Sequence, residues 1–131
     1  MLTSDSSQRQ EGRKAPQRPP EVDKYVDDFL SLTCDTSRRY ILELLSVPDD
    51  ANNAVLPEWR SGDIARAIGL SAATTSEHLR QLAAADLVTS RREGNTVYYQ
   101  LRNHLLVVAF QDLLAALESN FPSRSQDKAV K

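Results

Sequence analysis

Between residues 22 and 30 the apolar side chains fall at Val22, Tyr25, Val26, Phe29 and Leu30, a spacing of i, i+3, i+4, i+7 and i+8. This is the stripe of an amphipathic helix, predicted over about 21–33 after the Pro19-Pro20 pair. Asp35 stands as N-cap to a second helix over about 36–46, which turns Ile41, Leu44 and Leu45 inward and is stopped by Pro48. Residues 47–57 (VPDDANNAVLP) make a turn-rich connection longer than packed helices usually need. Ser61 can cap a third helix that ends at Gly69, with Asp63 in its positive first turn and Ile64, Ala65 and Ile68 on its buried side. The triplet Gly69-Leu70-Ser71 leads into a fourth helix over about 72–85, whose inward face is Thr75, Leu79 and Leu82. Two short helices joined by a glycine-containing turn of three residues read as a helix-turn-helix.

The β-rich runs Leu87–Arg92 and Thr96–Leu101 follow, separated by Glu93-Gly94-Asn95, which is a hairpin signal. A last amphipathic helix over about 103–118 repeats Leu106, Ala109, Phe110, Leu113, Leu114 and Leu117 at helical spacing. The predicted order is α-α-α-α-β-β-α, mainly α with a small β-hairpin. The ends differ from this middle. Residues 1–20 hold only Met1, Leu2 and Ala15 as apolar side chains, and 121–131 are similarly polar, so both are expected to be disordered around a single domain at 21–120.

The longest apolar run, Leu105 to Phe110, is far short of the ~18 residues of a membrane span. The N-terminus has no apolar secretory stretch and Cys34 is the only cysteine, so a cytoplasmic protein is expected. A formal net charge of −2 argues against a general nucleic-acid coat, but the charge is unevenly spread. Residues 21–59 set Lys24, Arg38 and Arg39 against nine acids, whereas 60–102 set six arginines against Asp63, Glu77, Asp86 and Glu93. An acidic pole and a basic pole suit a molecule that presents one end to a polyanion.

A helix-turn-helix followed directly by a basic hairpin is the winged-helix plan, and residues 29–118 resemble the ArsR/SmtB family of bacterial repressors. The resemblance rests on LTCDTSRRYILELL (32–45) and on GDIARAIGLSAATTSEHLRQLAAADLVTSRREGNTVYYQL (62–101). It implies a dimeric winged helix-turn-helix that binds a double-stranded DNA operator, the second helix of the motif in the major groove and the wing at an adjacent minor groove. By position, Ser71, Ala72, Ala73, Ser76, Glu77 and Arg80 would face DNA, with Arg91, Arg92, Asn95 and Thr96 on the wing. The helical period agrees: if 75, 79 and 82 are buried, residues 72, 73, 76, 77 and 80 lie opposite. The resemblance also implies a homodimer built from the first and last helices. Val22, Tyr25, Val26 and Phe29 with Leu106, Phe110, Leu113, Leu114 and Leu117 offer more apolar surface than one small core needs.

Many relatives bind metals, and this sequence departs from their ligand sets. Where the family has a Glu-Leu-Cys-x-Cys/Gly-Asp-Leu box, the chain has Glu58-Trp59-Arg60-Ser61-Gly62-Asp63-Ile64; at the last-helix site it has Asn103, Leu105, Ala116 and Ser119. Of the family's ligand positions only Asp63 survives as a potential ligand, so no metal and no cofactor are expected. His78 and His104 read as structural or exposed, and Cys34 as a small core residue in a helix–helix corner. No phosphate-cradling glycine loop and no nucleophile setting occurs, so the chain is not expected to be an enzyme. Two alternatives remain beside the repressor: a metal- or thiol-sensing repressor with a rearranged site involving Cys34, and a winged-helix module that binds another protein. The identity of any effector is not legible.

Overall fold

The computed structural model describes Ala15 and residues 17–49 and 55–122. The expected N-terminal arm and C-terminal tail lie almost wholly outside the described residues, as does the centre of the 47–57 connection. Among the described residues the elements run α1 (Pro20–Thr33), α2 (Thr36–Leu45), β1 (Trp59–Arg60), α3 (Ser61–Ile68), α4 (Ala72–Ala84), β2 (Val88–Glu93), β3 (Thr96–Leu101) and α5 (His104–Ser119).

Local chemistry sets most of these boundaries. Pro20 opens α1, where its missing N–H costs nothing, and Glu21 and Asp23 suit the positive first turn. The Asp35 carboxylate accepts from the Arg38 backbone N–H at 3.0 Å and so caps α2. Arg38 Nε donates to Leu32 O (2.6 Å) and Arg39 NH1 to Thr33 O (2.9 Å), which satisfies carbonyls left open at the end of α1. Gly69 ends α3 at φ +82°, and both its N–H and that of Leu70 reach Ala65 O, at 2.8 and 3.0 Å. Ser71 caps α4 by accepting from Thr74 N at 3.1 Å. The equivalent turn after α4 places Asp86 at φ +61°, a left-handed conformation that Asp tolerates better than most residues.

Three sequence expectations are corrected. Ser61 is the first residue of α3 and not its cap; Arg60 holds that position and makes no side-chain cap bond. The hairpin is two strands of a three-stranded sheet ordered β1-β3-β2, in which Trp59 pairs with Tyr99 and Arg60 with Tyr98. Two residues are too few to show a strand pattern, yet they pair the free backbone edge of β3. Cys34 is exposed rather than buried, since it is the C-cap of α1 and its Sγ–H donates to Ser31 O at 2.9 Å.

The core lies where α2, α3, α4, the sheet and α5 meet: Ile41, Leu42 and Leu45, Ile64, Leu79 and Leu82, Leu87, Val88, Tyr99 and Leu101, and Val107. Pairing in β2–β3 puts Val88 with Leu101, Ser90 with Tyr99 and Arg92 with Val97 on this inner face. Arg91 with Tyr98 and Glu93 with Thr96 occupy the outer face. Phe29 of α1 meets Phe110 of α5 edge to face at 5.6 Å between ring centroids. No helix among the described residues is long and apolar enough to cross a membrane.

Candidate nucleic-acid interface

Helix α4 buries Thr75, Leu79 and Leu82. Ala72, Ala73, Glu77 and Arg80 are exposed on its other side and Ser76 is half-buried beside them, so these five expected positions share one outward face. Ser71 is exposed but committed to the cap, its hydroxyl accepting from Thr74 N and donating to Thr74 Oγ1 at 2.9 Å. Arg80 donates to the Glu77 carboxylate, as does Gln81 Nε2 at 3.4 Å, and these bonds hold the Glu77 carboxyl below its ordinary range.

The wing divides its two arginines. Arg91 forms a two-pronged pair with Glu58, Nε to Oε2 at 3.0 Å and NH2 to Oε1 at 2.9 Å, and its NH1 reaches Glu93 at 2.6 Å. Its guanidinium also lies 4.6 Å from the Tyr98 ring centroid. The carboxylates raise the Arg91 pKa, Glu58 foremost, and Arg91 in turn lowers that of Glu58. Arg92 is exposed on the inner face of the sheet, beyond the core. Arg60 and Arg66 pair with Asp63, Arg80 with Glu77, Arg91 with Glu58 and Glu93, and Arg102 with Asp86; among the described residues Arg92 is the arginine of 60–102 that has no carboxylate partner. Asn95 and Thr96, at and after the hairpin turn, line a shallow groove of about 240 Å³ with Ser61, Gly62 and Arg66 of α3. Gly94 gives that two-residue turn its positive φ of 63°.

Sequence reasoning missed the groups that hold α4 in place. Arg38 NH1 reaches His78 Nδ1 (3.2 Å) and Gln81 Oε1 (2.8 Å), which explains in physical terms the Asp-x-x-Arg of residues 35–38: the acid caps α2 and the arginine ties α1 to α4. Glu58 was likewise invisible as a partner, being 33 residues from Arg91. No three His, Cys, Asp or Glu side chains converge as a metal-binding group among the described residues.

The expected dimer surface is split. Val22, Tyr25, Val26, Leu113 and Leu117 are exposed, whereas Phe110 is buried and Leu106 and Phe29 pack against this chain's own core. Leu114 is half-buried. Leu30 of α1 and Leu105 of α5 are also exposed, the latter by 83%.

Residues 58–90 match the family described as bacterial regulatory protein, arsR family. The chain is similar to the arsenical resistance operon repressor of Staphylococcus aureus, 32% identical over 97 residues that cover 74% of this chain and 85% of that protein. It is also similar to the nodulation protein NolR of Rhizobium meliloti, 34% identical over 84 residues, spanning 62% of each chain. In fold it matches the solution structure of a homodimeric winged helix-turn-helix DNA-binding domain from Mycobacterium bovis, with a TM-score of 0.62 and 24% identity over 85% of this chain and 96% of that one. With an exposed α4 face beside the wing, a family match over residues 58–90 and a relative named as an operon repressor, the chain belongs to the ArsR family of bacterial regulatory proteins and has the winged helix-turn-helix fold.

Proposed function

We propose that the protein is a homodimeric transcriptional repressor that occupies a pseudo-palindromic operator, one α4 in the major groove of each half-site. The observation that carries this reading is the outward face of α4, where Ala72 and Ala73 allow close approach and Ser76, Glu77 and Arg80 offer polar groups to base edges, beside the unpaired wing arginine, Arg92. Arg80 reads sequence, Arg92 takes a phosphate, and Asn95 and Thr96 approach the backbone from the wing. Ser71 supports the helix start, and Arg91 braces the wing through Glu58. The dimer forms through exposed Val22, Tyr25 and Val26 of α1 with Leu113, Leu114 and Leu117 of α5, while Phe29, Leu106 and Phe110 support that surface from within. Residues 21–120 suffice for folding, pairing and operator choice.

The repressor works without the family's usual metal sites, where Trp59, Arg60, Asn103, Leu105, Ala116 and Ser119 stand. A mobility-shift assay on the promoter of its own gene, with sedimentation at micromolar concentration, tests the reading. A monomer, or equal affinity for promoter and random DNA, would overturn it. The exposure of Cys34 favours one second reading, thiol- or metal-dependent release. Operator binding titrated with zinc, arsenite or oxidant, in wild type and Cys34→Ser, separates the two: release that vanishes in the variant establishes the second.

A further inference from the structure

A row of polar contacts begins at the end of α1 and finishes on the outward face of α4. Arg38 donates through Nε to Leu32 O at 2.6 Å and through NH1 to Gln81 Oε1 at 2.8 Å. Gln81 Nε2 donates to Glu77 Oε1 at 3.4 Å, and the other Glu77 oxygen accepts from Arg80 NH2. The direction of this row follows from chemistry. Arginine has donors only and a carboxylate acceptors only, so Gln81 must turn its oxygen to Arg38 and its amide nitrogen to Glu77. The reverse orientation would set N–H against N–H on one side and oxygen against oxygen on the other. Glu77 then fixes Arg80 by one of its five N–H groups and leaves the others to a ligand.

We infer that Arg38, Gln81 and Glu77 are positioning residues that aim the Arg80 guanidinium, so that base discrimination by Arg80 depends on side chains anchored to α1. This rests on the reading of α4 as the recognition helix. Glu77 and Arg80 are largely exposed, with side chains 55% and 67% accessible, so in free solution the row adds little to stability. Its effect is on geometry. A bidentate contact to a base edge needs the arginine fork in one orientation, and the links strengthen when DNA displaces the surrounding water. Gln81 is the informative position, because a leucine keeps the helix and much of the side-chain bulk while removing both bonds.

The test uses duplex DNA selected from a randomised pool by the wild-type dimer, and a set of duplexes carrying each single base-pair change. The dissociation constants of wild type, Arg80→Ala, Gln81→Leu and the double variant are measured on every duplex, with thermal unfolding as a check on folding. Arg80→Ala is expected to abolish discrimination at one base pair of each half-site. Gln81→Leu should reduce discrimination at that same base pair by about fivefold with little change elsewhere, and the double variant should match Arg80→Ala alone. If Gln81→Leu instead weakens all duplexes equally, or its effect adds to that of Arg80→Ala, the positioning role is overturned while the recognition helix stands. If no sequence is selected, or if Arg80→Ala changes discrimination nowhere, the reading of α4 falls and the positioning role with it.

Discussion

The α1/α5 side of the molecule and its α4/wing side are both left uncovered, for opposite chemical reasons. On α1 and α5, Val22, Tyr25, Val26, Leu30, Leu105, Leu113 and Leu117 are 37–83% exposed, apolar surface that water disfavours and a second apolar surface would cover. On α4 and the wing the exposed groups are largely polar or charged, but five of the six arginines of residues 60–102 are already matched by carboxylates on the same chain. Counting charges by segment therefore overstates what is available to DNA. One side is incomplete without a partner; the other is a mostly self-neutralised surface with a few groups free to report on what approaches.

The sharpest way to break this contrast is on the apolar side. Leu113→Glu should leave the protomer folded, yield monomers in sedimentation and lower operator affinity about 100-fold or more, because pairing two half-site contacts multiplies affinity by about 10²–10⁴. Phe110→Ala is expected to act differently, costing about 3–5 kcal/mol in thermal or denaturant unfolding, because Phe110 lies in this chain's own core against Phe29. Should Phe110→Ala leave stability intact while Leu113→Glu unfolds the protomer, the assignment of the two surfaces would be inverted.

On the charged side, Arg92→Ala should reduce the slope of log affinity against log salt by about one unit, the signature of one lost phosphate contact. Arg91→Ala should leave that slope unchanged and lower stability only slightly, since it loses exposed pairs with Glu58 and Glu93 rather than DNA. Equal slopes lost in both variants would show that DNA draws Arg91 out of its pairs.

A smaller effect is expected at the junction of the two sides. Asp35→Ala should cost about 1 kcal/mol at neutral pH, the usual worth of an N-cap. The hydrogen bond from Arg38 N lowers the Asp35 pKa from the ordinary 3.8. A depressed carboxylate contributes stability that is present above its unfolded pKa and lost as pH falls through the folded value. The gap between wild type and variant should therefore hold above about pH 5 and close below pH 4 in pH-resolved unfolding. The smallest change is expected on the buried face of α4: the Thr75 hydroxyl is buried without a partner among the described residues, so Thr75→Val should raise stability by about 1 kcal/mol and leave operator binding as it is.

The sequence by itself determined the elements whose causes are local. The periodic apolar stripes placed the helices, Asp35 and Gly69 marked helix ends, Gly94 marked the hairpin, and the face of α4 opposite Thr75, Leu79 and Leu82 followed from the 3.6-residue turn. Each of these rests on interactions within a few residues. Only the tertiary structure decided which side chains are engaged across the fold. Arg91 is taken up by Glu58 from 33 residues away, Arg38 reaches His78 and Gln81 from 40 and 43 residues away, and Trp59-Arg60 becomes a strand because β3 offers an edge. Cys34 is exposed because it falls on a helix end, and Phe110 is internal because Phe29 folds over it. A periodic pattern specifies a face but not what meets it; an arginine on the surface reads the same in sequence whether it is free, like Arg92, or spent on a carboxylate, like Arg91.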